Sequence, residues 1–97
     1  MQVHIITPQR VVFEGSVDSV TVPGKGGEFQ MLDNHAAIVS SLQKGTIKIK
    51  FHSKSTFDFE GLSGDLKKSP ANELIYLFDV EGGVVEMSNN VVTILAS

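Results

Sequence analysis

Side chains alternate in polarity along nearly every stretch of this chain, and no window shows convincing apolar spacing at i, i+3, i+4 and i+7. Alternation with period two belongs to strands that bury one face and solvate the other. The pattern predicts an all-β fold, an antiparallel β-sandwich of about ten short strands with little or no helix. Gln2–Ile6 reads as the first strand, closed by Thr7-Pro8, where proline withholds a ladder donor. Residues 10–14 follow, turned by Gly15-Ser16, and then residues 17–22, ended by Pro23-Gly24. Ile38–Leu42 and residues 46–52 come next; in the latter Ile47, Ile49 and Phe51 face inward and Lys48 and Lys50 outward. Phe57 and Phe59 alternate against Thr56, Asp58 and Glu60. Residues 73–80 are apolar on both faces, which predicts a central strand. Asn89-Asn90 between residues 84–88 and 91–96 predicts a two-residue hairpin, because asparagine tolerates positive φ.

Two stretches depart from this pattern. Residues 61–72, GLSGDLKKSPAN, form a long polar insert, expected to be a mobile loop or a hairpin tip. Residues 24–39 carry Gly24, Gly26 and Gly27, then an acidic and apolar run from Glu28 to Leu32, then Asp33-Asn34 and His35-Ala36-Ala37. Glycines permit positive φ or close backbone approach, and Asp-Asn is a turn signal. The segment reads as one that presents backbone and a few side chains outward instead of filling a core.

With 97 residues, the chain is long enough for one domain, residues 1–97, with no linker or repeat. A net charge of −3 and scattered basic residues argue against a nucleic-acid surface. The absence of cysteine removes disulfide and zinc-thiolate chemistry. No basic-then-apolar leader opens the sequence and no apolar run is long enough to span a bilayer, so a soluble, intracellular protein is expected, reaching a membrane only through a partner.

No reaction centre assembles from the chemistry-bearing residues. His4, His35 and His52, with Asp33, Asp58 and Glu60, share no ligand spacing, so solvated or edge histidines are expected instead of a metal site. His35, set beside two alanines, reads either as a contact residue or as a turn stabiliser. PGKGGE lacks the hydroxyl residue and the following helix of a phosphate loop, so a tight turn is expected. Ser40, Ser41, Ser63 and Ser88 have no nucleophile elbow around them. A ligand- or glycan-binding sandwich remains the alternative, though such sites use aromatic platforms and the chain has no Trp and one Tyr. No catalytic residue, cofactor or metal is expected.

The order TP…VVFEG.VDSVTVPG..GEF..L.NHA.IV.SL..G.IKI, followed by EGGVVEMSNNVVTIL, resembles the epsilon subunit of the F-type rotary ATP synthase, in its N-terminal β-sandwich domain. Gln30 stands where that family usually has glycine, and Asp33 and Ala37 where it has prolines. The insert is longer than usual, and Ser97 follows the last strand, where family members continue into two inhibitory helices. The resemblance implies a non-catalytic rotor subunit of the central stalk, clamped to gamma, resting on the c-ring and coupling proton flow to ATP synthesis elsewhere. It further implies a peripheral place on the cytoplasmic face of a bacterial inner membrane, and no functional homo-oligomer. By position, Glu28, Phe29, Gln30 and Met31 match the c-ring contact, and Thr7, His35, Ala37 and Ser40 the gamma side.

Overall fold

The computed structural model describes residues 1–52 and 66–97, so Phe57, Phe59, Asp58, Glu60, Ser63 and the start of the polar insert lie outside the described residues. Among the described residues ten strands follow one another: β1 (Gln2–Ile6), β2 (Val11–Ser16), β3 (Ser19–Gly24), β4 (Gly27–Leu32), β5 (Ile38–Leu42), β6 (Gly45–Lys50), β7 (Lys67–Lys68), β8 (Ile75–Val80), β9 (Gly83–Ser88) and β10 (Val91–Ala96). No helix occurs among the described residues, and so none there is long and apolar enough to cross a membrane.

The strands form one curled sheet that reads as two facing halves. One half runs β2-β1-β10-β9-β5 and the other β4-β3-β6-β8-β7. A single residue pair, Gly24 with Leu42, bridges β3 and β5 and joins the halves at a corner. All pairings are antiparallel except β1 with β10, which run parallel. Those two strands lie at opposite ends of the chain, so no hairpin dictates their direction.

Alternation sends Val3, Ile5, Val85, Met87, Val92 and Ile94 inward from the first half, and Val20, Val22, Met31, Ile47 and Ile49 inward from the second. Together they make one core. Phe51 ties the two halves at one end: its ring meets Phe13 of β2 edge-on at 5.6 Å and Tyr76 of β8 at 5.7 Å. Such edge-to-face contacts add about 0.5–1.5 kcal/mol beyond burial.

Three local readings change. Gly15 and Ser16 do not turn the chain but extend β2, paired with Val3 and Gln2. The Phe13 ring lies over Gly15, where an added Cβ would come within 3.0 Å of its tip, so the ring covers the gap that glycine leaves. Pro23 and Gly24 likewise remain within β3. The third concerns β8, expected to be central: among the described residues it has β6 on one side and only the two-residue β7, paired at Leu77 and Tyr76, on the other. Its second apolar face, with Ile75 and Leu77, is half-exposed. Within the polar insert, Lys67 and Lys68 thus form the short outer arm of a hairpin.

Asn89 and Asn90 take φ of 52° and 62° and make the two-residue turn between β9 and β10. Asn90 also accepts a hydrogen bond from the Asn34 backbone N–H at 2.8 Å, joining this turn to the one after β4. Alanine at either position must adopt left-handed geometry at a cost of about 1–2 kcal/mol. Asn90→Ala is expected to destabilise more than Asn89→Ala, because it also removes the bond to Asn34. Denaturant titration of both variants checks this; equal losses would mean that the bond contributes nothing.

Candidate functional site

Within residues 24–39, expected to present backbone and a few side chains outward, residues 24–32 form a hairpin built into the second half of the sandwich. β4 pairs with β3 along its whole length, from Ser19 with Leu32 to Gly24 with Gly27. Alternation divides β4 between two faces. Phe29 and Met31 turn inward against Val22 and Val20, and Met31 has no exposed surface. Glu28, Gln30 and Leu32 turn outward. Met31 is therefore a core residue supporting the hairpin from beneath. The outward reading of this segment holds for Glu28 and Gln30 and fails for Met31, because a strand cannot expose every second residue of its buried face.

The three glycines serve different ends. Gly27 has a φ of 129°, which an L-residue rarely adopts. Gly24 is needed for close approach: a Cβ there would meet the Phe29 ring at 2.7 Å and the Gly27 carbonyl oxygen at 2.9 Å. Gly26 has open space around it and no positive φ. On the outer face, Lys48 of β6 lies 3.5 Å from the Glu28 carboxylate. Both groups are about half exposed, so the pair contributes ~0–1 kcal/mol.

His35 and Ala37 lie just before β5, and Ser40 lies within it. The His35 Nδ1 sits 2.7 Å from the Ala36 carbonyl oxygen, and its backbone N–H donates to Leu32. Thr7 does not join them. It follows β1, three strands from β5, or roughly 14 Å at about 4.8 Å per strand. There its hydroxyl closes the turn to Arg10. Thr7 lies at the end of the sandwich that holds the β3–β4 turn, whereas His35 lies at the other, beside the Asn90 turn.

The three histidines are apart. His4 Nδ1 lies 3.4 Å from Glu14, and His52 Nδ1 lies 3.9 Å from Asp18. Among the described residues, no three His, Asp or Glu side chains converge as a metal site would require. Asp33 instead meets the α-ammonium of Met1, which also donates to the Val17 carbonyl at 3.2 Å. Sequence patterning offers no signal for this pairing, since it joins a chain end to a turn.

The outer faces of the two halves carry different sets of charged residues. The first carries Glu14 and Glu86 around an apolar row of Val11, Ile6, Leu95 and Val84, set side by side by the register. The second carries Lys48, Lys50 and Lys67 together with Glu28 and Asp79.

Comparison with known proteins follows this geometry. Residues 1–65 match the family model described as ATP synthase, Delta/Epsilon chain, beta-sandwich domain. The ATP synthase epsilon chain of Leptospira interrogans is 32% identical over 95 residues, which is 98% of this chain and 59% of that protein. The epsilon chain of Campylobacter jejuni is 54% identical over 47 residues, covering 48% of this chain and 36% of that one. This chain thus spans well under two thirds of the length of these relatives. In fold it is similar to a chain in the central stalk and c-ring structure of Tetrahymena thermophila mitochondrial ATP synthase, with a TM-score of 0.69 at 22% identity over 99% of this chain and 62% of that one.

The hydrogen bond and the charge of the Met1 ammonium hold the Asp33 carboxyl below its ordinary value. A carboxyl that titrates lower when folded contributes stability that is complete above the unfolded value and is lost as the pH falls through the lowered one. Asp33→Asn is expected to flatten the fall of Tm as the pH drops below the ordinary carboxyl range. Parallel wild-type and variant curves would show that the pair does not stabilise the fold.

Proposed function

Because the chain belongs to the ATP synthase delta/epsilon chain family, we propose that it is a non-catalytic rotor subunit of a proton-translocating F-type ATP synthase. In this reading the sandwich docks on the gamma subunit and rests on the c-ring. It helps transmit ring rotation to gamma while catalysis proceeds on other subunits. It would sit on the cytoplasmic face of a bacterial inner membrane, peripheral and held there by its partners. The observation that carries the proposal is the family match over residues 1–65, a span that includes the whole β3–β4 hairpin and β5.

The geometry suits such a role. A hairpin paired along its full length and backed by Met31 resists bending as a free loop would not, since displacing it exposes core. Glu28 and Gln30 face outward from it as the c-ring contact, with Phe29 half-buried behind them. His35 and Ala37, just before β5, and Ser40 within it are the gamma side, with Thr7 a separate outlying contact. Rim ion pairs add only ~0–1 kcal/mol each. Holding on therefore depends mainly on apolar area, at about 25 cal/mol per Å².

A pull-down from native membranes with the tagged chain is expected to recover gamma and c-ring together; recovery of neither would refute the rotor reading. Glu28→Gln is expected to leave Tm unchanged and capture largely intact. Met31→Asp is expected to lose both, because it places a carboxylate in the core at a cost of several kcal/mol. Loss of capture by Glu28→Gln alone, with Tm unchanged, would show that the charge matters more than the area.

A further inference from the structure

We propose that the free edge of β5 accepts an extended segment of gamma as an added strand, paired through the Val39 backbone; this rests on the rotor reading above. Backbone alternation fixes which groups point outward. The Ser41 carbonyl accepts from the Lys25 N–H at 3.1 Å, and the Gln43 N–H donates to the Pro23 carbonyl at 2.9 Å, both on the side away from β9. In a strand, residues two apart point the same way. The N–H and carbonyl of Val39 therefore point away from β9 as well. Across from it on β9 lies Glu86, in a pair that exchanges no backbone bonds. On its outer side β3 reaches β5 only at Leu42, so among the described residues no strand covers Val39.

Natural sheets blunt such an edge with lysine, proline or a bulge. Residues 36–42, AAIVSSL, contain neither residue, and the register from Ile38 to Leu42 is unbroken. Ala36, Ala37, Ser40 and Ser41 are small enough for another backbone to approach within strand spacing. Val39 is 71% exposed, the most of any large apolar side chain described, and is β-branched, as a strand neighbour would favour. A shallow groove runs beside it, lined by Ala37, Ile38, Val39, Glu86, Met87 and Ser88.

Charge narrows the occupant. Glu86 lies next to Val39 on the outer face, with Glu14 further along the same row, and no lysine is on that face among the described residues. The segment that fits is an extended stretch of gamma with an apolar side chain against Val39 and a lysine or arginine over Glu86. Main-chain bonds would supply affinity and these two side chains the register.

The test uses the full chain and purified gamma. Amide exchange is expected to slow at least about tenfold at Val39 on complex formation, as a new backbone bond requires. Val39→Pro removes the outward N–H without touching the β9 ladder, and is expected to weaken gamma binding at least about tenfold. Val39→Thr keeps the N–H and is expected to bind like wild type. Wild-type binding by Val39→Pro, with unchanged amide exchange in the wild-type complex, overturns strand addition and leaves the rotor reading standing. Failure of the wild-type chain to bind gamma overturns both. Should Val39→Pro unfold, the wild-type exchange pattern decides alone.

Discussion

The corner at Gly24 is the constraint on which the remaining geometry depends. Here β3 must hold β4 on one flank and touch the end of β5 on the other. A side chain at Gly24 would strike the Phe29 ring and the Gly27 carbonyl, and one at Gly45 would meet the Pro23 ring at 2.6 Å. The absence of both side chains lets the two halves close upon each other with β4 lying flat along β3. Once closed, Val20, Val22 and Met31 share one core with Val85, Met87 and Ile94. The hairpin then cannot move without exposing that core.

Much of this order is legible in the residues because alternation and turn chemistry are local. Gln2–Ile6 and Ile38–Leu42 are strands with the expected bounds, and Ile47, Ile49 and Phe51 are buried between exposed Lys48 and Lys50. Asn89-Asn90 turns as its tolerance of positive φ implies. What escapes the sequence is set by distant partners. Gly15 resembles a turn residue until Phe13 is seen covering it, and Pro23 resembles a strand end until its carbonyl is seen bonded across the corner to Gln43. Residues 73–80 read as central because both faces are apolar; β8 has a neighbour on each side, β6 and the two-residue β7, and Ile75 and Leu77 on its outer face stay half-buried.

The candidate site follows the same division. Glu28 and Gln30 are outward, as a contact surface needs, whereas Met31 is committed to the core by the phase of its own strand. A motif read by spacing alone treats four neighbours as one surface; pleating splits them between two. Thr7 and His35 similarly share a resemblance without sharing a patch, since pairing order places them at opposite ends of the first half. In the rotor reading, the sandwich offers separate surfaces held at fixed distances by one core.

That rigidity is the central claim, and native-state hydrogen exchange at the hairpin tests it most directly. The Pro23 carbonyl faces the corner, so alternation points the Phe29 and Met31 amides at β3. Both amides are expected to exchange as slowly as those of Ile49 and Ile94, opening only when the whole domain unfolds. Exchange at Phe29 and Met31 orders of magnitude faster than at those core positions would mean that the hairpin is a flexible arm, and the account would fail.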